Sequence, residues 1–294
     1  MKKPSLIPPI LAFVLWFSCG SLVSAQQGKY RYAETNRIVD MVNDAAALIR
    51  QSGEAAFATL IKRDSRWSSN QSYIFVIDIQ GRCYVHQDTS LVGKSIYDVK
   101  DPNGKPFVQW FIRKALGPSQ SGWTHYRWVK QGDTLPSWRT TFTHLVNAPS
   151  GKIYIVGAGS YNLKMEKAFV VEALDDAVIL VRQMGVKAFP LLRDKGSEFV
   201  FKDTYVFVVD SSYKVLVNPA FPGEEGQNVY DLKDVNGKYF FRELFQVAGE
   251  KGSGWVDYVW PKPGEARPSP KSTYVRKIVV KGSTYLVGSG IYPE

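Results

Sequence analysis

The stretch GWVDYVWPKP at residues 254–263 largely repeats a stretch that occurs earlier in the chain, GWTHYRWVK at residues 122–130. Both copies hold Gly-Trp, then a Tyr, then a Trp two residues further on. The two copies lie 132 residues apart. An aromatic strand that recurs in one chain raises the question of an internal duplication, which must be answered before elements are assigned.

Three further pairs of blocks keep the same spacing to within one residue. They are YIFVID at 73–78 with YVFVVD at 205–210, DVKDPNG at 98–104 with DLKDVNG at 231–237, and YIVGAGSY at 154–161 with YLVGSGIY at 285–292. Separated blocks that hold one register leave little room for coincidence, so the chain is a tandem duplication. We expect a first module at 26–162 and a second module at 163–294.

The length and composition are those of a folded protein with two domains. The chain has 294 residues, of which 45% are hydrophobic and 22% are charged, which is enough to form buried cores. Its formal net charge is +10, but the Lys and Arg residues are spread along the chain without a basic run. This distribution argues against nucleic acid as a partner and is compatible with small anionic solutes or anionic surfaces.

The N-terminus has the three parts of a secretory signal. Lys2 and Lys3 precede an apolar run at 6–17, and small residues end the segment at 23–25. We therefore expect a signal peptide at 1–25, cleavage near Ala25, and a mature protein exported to the periplasm or secreted. The alternatives are an uncleaved membrane anchor and a lipoprotein attached through Cys19.

Each module is predicted to begin with a long amphipathic helix, at about 35–62 and 163–197, because apolar residues recur at spacings of three and four. Gly53 and Gly185 fall within these helices and are interpreted as points of close approach to a neighbouring backbone. A sheet region follows, at about 72–162 and 203–294. The predicted fold class is α+β, each module having an antiparallel sheet of about five strands and one short helix.

The order of the motifs resembles one known family. In the second copy, D-x-x-D-x-N-G, a helix, G-W-x-x-Y-x-W, K-x-x-Y and V-G-x-G-x-Y follow one another within 205–292. This order is similar to the single-Cache branch of the extracellular sensor domains, whose sheet is similar to that of PAS domains. The first copy departs from the pattern, since Arg139 stands in place of Lys271 and Phe142 in place of Tyr274.

The resemblance implies that a module binds a small ligand, often a short carboxylate, in a pocket on one face of the sheet beneath the loops. In the second copy, Tyr258, Trp260 and Lys262 alternate along a strand and are expected to share a face. Lys271 and Tyr274, from the next strand, are expected to complete the pocket. A cation with aromatic hydroxyls suits a carboxylate, because a buried anion needs both opposite charge and hydrogen bonds.

The first copy offers a matching set of candidate ligand-binding residues: Tyr126, Trp128, Lys130, Arg139 and His86. Arg139 presents a planar fork that can hold a carboxylate through two parallel hydrogen bonds, whereas Lys271 presents a point charge. If both modules bind, their ligands are therefore expected to differ. The competing interpretation of the same Tyr and Trp residues is that they are core or sheet-surface residues.

No motif in the sequence predicts a metal, a cofactor or catalysis. Asp98, Asp101 and Asn103 have a superficial likeness to a calcium loop, but they lack its alternating oxygen ligands and terminal Glu, so we interpret them as a turn before a helix. Cys83 and His86 are three residues apart on a predicted strand, which places them on opposite faces. We expect no catalytic residues.

Three functions compete at this point. The first is an extracytoplasmic sensor module for a short organic acid or similar metabolite, which passes its signal to a separate membrane-bound signalling partner, because the 294 residues contain no recognisable kinase or chemotaxis signalling segment. The second is a structural scaffold of the cell envelope that has kept the fold and lost its pocket. The third, an enzyme, is disfavoured because nothing pairs a nucleophile with a base.

Overall fold

A computed structural model describes residues 30–63, 65–69, 71–130 and 132–293 of the chain. The predicted signal peptide at 1–25 lies outside these residues. None of the helices in the described part of the chain has the length and hydropathy of a membrane span.

The first module opens with a long helix and continues as an antiparallel sheet. The chain passes from the helix α1 through a 3-10 turn at Gly53–Ala56 into the short helix α2, and a further helix, α3, lies between the second and third strands. The elements are α1 (Ala33–Ser52), α2 (Phe57–Leu60), β1 (Ile74–Asp78), β2 (Cys83–Val85), α3 (Phe107–Ala115), β3 (Ser121–Val129), β4 (Pro136–Asn147) and β5 (Ile153–Tyr161). The strand order is β2-β1-β5-β4-β3.

The second module repeats this plan and adds one short strand at the edge of its sheet. Its elements are α4 (Lys167–Met184), α5 (Phe189–Arg193), β6 (Val200–Phe201), β7 (Thr204–Asp210), β8 (Val215–Val217), α6 (Phe240–Lys251), β9 (Ser253–Pro261), β10 (Pro268–Val280) and β11 (Ser283–Ile291). The strand order is β6-β7-β11-β10-β9, with β8 paired to β7. The predicted α+β class, with two modules of long helix, antiparallel sheet and short helix, is confirmed.

The two long helices end where glycine permits a turn that other residues resist. Gly53 has φ 58° and Gly185 has φ 60°, and each begins a 3-10 turn. A Cβ added at Gly185 would meet no atom within 4 Å, and one added at Gly53 would make only an ordinary contact with the Pro149 side chain at 3.7 Å. The interpretation of these glycines as close-approach points is therefore wrong, because they are needed for their backbone conformation.

The second helix also begins later than predicted. Residues 163–166 are not helical, and α4 starts at Lys167. Glu166, the residue before the helix, has extended backbone, and its buried carboxylate accepts hydrogen bonds from the backbone N–H groups of Arg31 and Tyr32 at 2.9 Å each. These bonds tie the start of the second module to the start of the first.

Each sheet separates two packed layers. One face carries the long helix, whose inward positions in α1 include Ile38, Val42, Ala45 and Ile49 at helical spacing. The opposite face carries the short helix and the loops, where Phe107 and Phe111 pack against the sheet. Because side chains alternate along a strand, this second layer is built from every other residue of the same strands.

The core of the first module continues into the second. Phe169 and Ala173 of α4 and Phe201 of β6 are buried among first-module residues such as Trp123 and Phe142. The ring of His125 stacks on that of Phe201 with centroids 4.0 Å apart. The predicted boundary at 162/163 thus falls within a shared hydrophobic core.

Candidate ligand-binding site

A small chamber lies on the face of the first sheet that is turned away from α1. It has a volume of about 90 Å³. Strands β1, β3 and β4, the helix α3 and the loop after β2 supply its walls. Its lining residues are Tyr73, Phe75, His86, Leu91, Ile96, Val99, Phe107, Val108, Phe111, Tyr126, Trp128 and Arg139.

The chamber adjoins a wider outer cleft of about 950 Å³. Four residues, Tyr73, His86, Leu91 and Trp128, line both spaces and form a neck between them. Lys130 lines the outer cleft and does not line the chamber. Of the five candidates predicted in the first module, the structure thus places Lys130 at the mouth and the other four in the chamber.

Arg139 is the cation of the chamber. It lies on β4, opposite Tyr126 of β3 and Tyr161 of β5, and only 2% of its surface is exposed. Its guanidinium carbon is 4.6 Å from the centre of the Tyr73 ring and 4.7 Å from that of Tyr161. These two aromatic faces stabilise the charge, in part replacing the water that burial removes.

The guanidinium of Arg139 is short of hydrogen bonds. Its Nη1 and Nη2 atoms are buried and have no hydrogen-bond partner among the described residues. Burial alone would lower the pKa of Arg139, but the neighbouring Tyr73, Tyr126 and Tyr161 keep it above its ordinary value. A permanent buried charge with free donors is costly unless an anion accepts from it.

Tyr126 and Trp128 form an aromatic wall of the chamber. The Tyr126 ring stacks on Phe107 with centroids 4.1 Å apart, and its hydroxyl is bonded to the Thr141 hydroxyl at 3.1 Å. Burial raises the pKa of Tyr126 to about 12, so the phenol is neutral. Trp128 meets the same Phe107 ring edge-on at 5.3 Å. The predicted side chains are therefore both packing residues and chamber lining.

His86 occupies the neck. Its Nδ1 lies 3.0 Å from the backbone N–H of Asp88, which donates to it, and its Nε2 lies 3.3 Å from the Tyr73 hydroxyl. Since Nδ1 accepts a hydrogen bond, the ring proton of the neutral form lies on Nε2. Burial lowers the pKa of His86, and the charge of Arg139 adds to this effect.

The second module places Lys271 where the first has Arg139. Lys271 lies on β10 opposite Tyr258, is 2% exposed, and its ammonium lies 4.3 Å and 5.0 Å from the ring centres of Tyr205 and Tyr292. Unlike Arg139, it has a partner, because its Nζ donates to the Tyr205 hydroxyl at 2.8 Å. Burial lowers the pKa of Lys271 to about 7, partly opposed by Glu224.

Aromatic side chains fill the space beside Lys271. Tyr258 stacks on Phe240 at 4.2 Å, and Trp260 lies 5.0 Å from the same ring. Phe221, from the loop after β8, approaches both Tyr205 at 6.0 Å and Trp260 at 6.4 Å. Tyr258 and Trp260 thus share a face as predicted, within a packed aromatic cluster.

Two predicted residues of the second pocket lie elsewhere. Tyr274 is three residues from Lys271 on the same strand, so it points to the opposite face, where it packs with the α4 layer and bonds to Ser253 at 3.0 Å. Lys262 lies at the rim, 3.7 Å from the Asp203 carboxylate. The prediction that Tyr274 completes the pocket is wrong because a spacing of three changes face on a strand.

The tyrosines that flank each cation are not among the residues predicted for the site. Tyr73 and Tyr205 open one repeated block, and Tyr161 and Tyr292 close another. Their identity in both copies is the signal that could have found them. In the sequence analysis these repeated tyrosines serve only to align the two copies. In the structure their four rings enclose the two basic side chains.

The turn with an acidic start is structural. Asp101 is buried, and its Oδ1 accepts from the backbone N–H groups of Asn103 and Lys105, while its Oδ2 accepts from that of Arg127. Asp234 makes the same three bonds in the second module. This agrees with the interpretation as a turn. No cluster of three or more His, Cys, Asp or Glu side chains suitable for a metal occurs in the described ranges.

The Cys83 thiol is buried in the layer beneath the chamber and points its Sγ at the Val85 carbonyl, 3.7 Å away. Burial raises the pKa of Cys83 to about 11. The thiolate, which is the nucleophilic form, is therefore suppressed at neutral pH.

Comparison with protein families gives two adjoining matches. Residues 35–176 match the family described as Cache domain, and residues 166–294 match the family described as Single Cache domain 2. The two matches overlap in the first half of α4, which is the part of the second module that contributes to the core of the first.

One curated protein is similar to this chain over less than a third of its length. The methyl-accepting chemotaxis protein McpP of Pseudomonas putida is 32% identical over 92 residues, which are 31% of this chain and 16% of that protein. This chain therefore spans only a small part of its curated relative.

Some of the solved structures that match cover somewhat less than half of this chain. One, described as the periplasmic sensor domain of a chemotaxis protein, is 31% identical and covers 44% of this chain and 95% of its own, with a TM-score of 0.39. Another, described as the structural basis for carboxylic acid recognition by a Cache chemosensory domain, is 24% identical and covers 42% and 91%, with a TM-score of 0.38.

Proposed function

The chain belongs to the Cache family, with two Cache modules in tandem, and we propose that it is an extracytoplasmic sensor whose first module binds a small organic carboxylate. The observation that carries the proposal is Arg139. Its guanidinium is buried and charged, its Nη1 and Nη2 atoms have no hydrogen-bond partner in the described structure, and it lines a chamber rather than a packed core. A carboxylate would accept from both free nitrogens in a fork-to-fork pair.

The other side chains that line the chamber also support this proposal. Tyr73 and Tyr161 flank the guanidinium and offer ring faces, while the neutral His86 and Tyr126 stand at the neck and wall. The neck residues line both spaces, so the chamber adjoins the outer cleft from which a ligand would enter. The ligand exchanges its hydration for one strong ion pair and an apolar enclosure, which is how small-molecule sites usually bind.

A signalling role is supported by the kind of protein that the curated relative is. McpP is a chemotaxis protein, and it is similar to this chain over 92 residues. We propose that the chain resides outside the cytoplasm and passes its ligand state to a membrane-bound signalling protein. The long helices α1 and α4 pack directly on the sheets and are suitable elements for that contact.

For the second module, the packing favours a structural role. Lys271 already has the Tyr205 hydroxyl as a partner, and Phe221, Phe240 and Trp260 fill the neighbouring space. We propose that this module supports the first and does not bind the same ligand. This retains part of the scaffold hypothesis for one half of the chain.

The test is a calorimetric titration of the purified protein with short carboxylic acids, together with thermal melting. A ligand that binds the folded state alone stabilises it by about 2.7 kcal/mol at a hundredfold excess over Kd. We expect binding to the wild type and to Lys271→Met, and loss of binding in Arg139→Gln. If no carboxylate binds a well-folded protein, the sensor proposal is wrong.

A further inference from the structure

The duplication makes one surface of each module directly comparable with its counterpart. In the first module, one side of α3 and the loop before it face the second module across a cleft. The first-module residues that line this cleft are Tyr97, Pro106, Gln109, Trp110 and Arg113. In the register of the DVKDPNG and DLKDVNG blocks, their counterparts are Tyr230, Tyr239, Arg242, Glu243 and Gln246. We call this second set the α6 face.

In the first module, basic side chains at this surface join it to an acidic helix. Lys114 Nζ lies 2.9 Å from the Glu172 carboxylate and 2.6 Å from that of Asp176, both on α4. Arg113 pairs with Glu198, in the segment between α5 and β6. The equivalent surface of one module is thus already an interface between basic groups and the acids of a helix.

The α6 face carries different side chains and is open to solvent. Among the described residues, α6 packs mainly on β9 and β10 of its own sheet, and Tyr230 is 44% exposed. The guanidinium carbon of Arg242 lies 4.0 Å from the centre of the Tyr230 ring and 3.8 Å from that of Tyr239. Tyr and Arg are enriched among the residues that contribute most to the affinity of protein interfaces.

A tyrosine in an unfavourable backbone conformation extends the α6 face. Tyr213, in the turn between β7 and β8, has φ 65°, a left-handed conformation that a side chain disfavours. Its counterpart Gly81 has φ 76°, which glycine adopts without this penalty. The Tyr213 ring lies 4.9 Å from that of Tyr230 and 4.2 Å from that of Phe245. A tyrosine kept where glycine would suit the turn indicates a function for its side chain.

We propose that the α6 face is a docking surface for an acidic helix of a different protein. The charged side chains on it and beside it are Lys214, Lys233, Lys238, Arg242, Asp231 and Glu243. Basic groups outnumber acidic ones, so a partner that brings carboxylates is favoured electrostatically, as at the equivalent surface of the first module.

A second copy of this chain fits the α6 face less well. The helix that docks at the equivalent surface is α4, and its acids Glu172, Asp175 and Asp176 already have basic partners within the chain. The proposal is independent of carboxylate binding by the first module. It adds a surface of the second module to the long helices already named for contact with a signalling partner.

Photocrosslinking of the full-length protein in its native host tests the proposal. The substitution Gln246→p-benzoylphenylalanine places a photoreactive group at an exposed position of the α6 face. Mass spectrometry should identify an adduct with a different protein, at a segment whose acidic residues recur at spacings of three and four. The same group at Leu135, which is 76% exposed in the loop between β3 and β4, is the control and should not give this adduct.

Two variants of the labelled protein make the test specific. Arg242→Gln should reduce the yield of the adduct by at least about tenfold, whereas Arg82→Gln, which removes an exposed arginine of the first module, should leave it unchanged. Tyr213→Gly should also reduce the yield. It should not lower the melting temperature, because glycine fits the left-handed turn that Gly81 already occupies in the first module.

The contradicting outcomes are distinct. An adduct with this chain itself would make a second copy the occupant and overturn the choice of a different protein. The docking surface would be overturned by the absence of an adduct from the α6 face, by an adduct whose yield Arg242→Gln leaves unchanged, or by a partner segment without acidic residues. Full crosslinking in Tyr213→Gly together with a lower melting temperature would show that Tyr213 serves packing alone and would remove it from the proposed surface.

Discussion

Arg139 and Lys271 occupy equivalent positions on β4 and β10, each enclosed by two tyrosines, yet the Nζ of Lys271 has a hydrogen-bond partner whereas the Nη1 and Nη2 atoms of Arg139 have none among the described residues. Duplication first gave both modules the same cage. The basic side chains between the tyrosines then diverged. Arg139 keeps free Nη donors in the first module, whereas Lys271 donates to a tyrosine of the second module. This difference assigns ligand binding to the first module in our proposal.

Arg139 is expected to lower the stability of the free protein and to raise its affinity for a carboxylate. Replacing it by Met removes a buried charge whose two Nη atoms lack hydrogen-bond partners, so the free protein should become more stable to urea by about 1–3 kcal/mol. Carboxylate affinity should fall by about 100-fold or more. Arg139→Lys is the matched control, because it keeps the charge but loses the fork; unchanged affinity in Arg139→Met would contradict the site.

Stability should depend on pH through Lys271. Its pKa is about 7 in the folded protein and near its ordinary value of 10.5 when unfolded, so above pH 7 the unfolded state binds more protons. The free energy of unfolding should therefore rise with pH from about 7 to 9.5, by at most about 1.4 kcal/mol per unit from this group.

Lys271→Met should flatten that rise, as measured by urea unfolding at several pH values. Lys105, whose pKa burial lowers to about 8, contributes in the same direction and remains in the variant. The residual slope should therefore fall further in the double variant with Lys105→Met. A slope that is unchanged in Lys271→Met would mean that this lysine is solvated in the folded state.

Asp234 is expected to be a structural carboxylate and not a metal ligand. Three backbone N–H groups donate to it, and these bonds keep its pKa below the ordinary value against the opposing effect of burial. Asp234→Ala should lose about 2–4 kcal/mol of stability because the donors are left unpaired. Calcium or EDTA should leave the melting temperature of the wild type unchanged; a calcium-dependent shift would revive the metal-loop interpretation.

Lys114 should couple the two modules. It is largely buried, and its Nζ lies 2.9 Å from Glu172 and 2.6 Å from Asp176, both on α4. Lys114→Met would leave these carboxylates without their partner and should cost about 3–5 kcal/mol. Arg66→Ala, which breaks an exposed pair with Asp44, is the control and should cost less than about 1 kcal/mol. Equal effects in the two variants, measured by urea unfolding, would argue against a buried inter-module ion cluster.

Gly157 should not tolerate a side chain. A Cβ at this position of β5 would lie 2.3 Å from the Phe75 ring, and Phe75 lines the chamber. Gly157→Ala should therefore reduce stability by about 1–3 kcal/mol and weaken carboxylate binding, since the ring must move. Gly223→Ala, where no atom lies within 4 Å, should change neither quantity. Both are measured by melting and titration.

The architecture could be predicted from the sequence because the repeat aligns the two copies along their whole length. Four pairs of blocks aligned at nearly one offset predict two equivalent sheets, and alternation along β3 and β9 places Tyr126 and Tyr258 on the inner face. The face of Tyr274 is mispredicted because the family pattern, with its spacing of three, outweighs strand alternation in that prediction. The alternation of side chains along a strand, with its period of two, would have been enough to assign Tyr274 to the opposite face.

Other features depend on contacts between distant residues and leave little trace in the sequence. Whether a caged cation has a partner is decided by a 2.8 Å contact between Lys271 and Tyr205, which lie on different strands. The late start of α4 depends on Glu166 binding the backbone at Arg31 and Tyr32. Spacing within either segment does not predict such long-range bonds.

The shared core makes the duplicated chain one folding unit. A first module cut at residue 162 would lose Phe169, Ala173 and Phe201 from its own interior, and would expose Trp123 to water. The first half is then not a part that recombination could move into another protein with its core intact. A substitution in α4 or β6 can therefore destabilise the first module, so that selection acts on the two modules together.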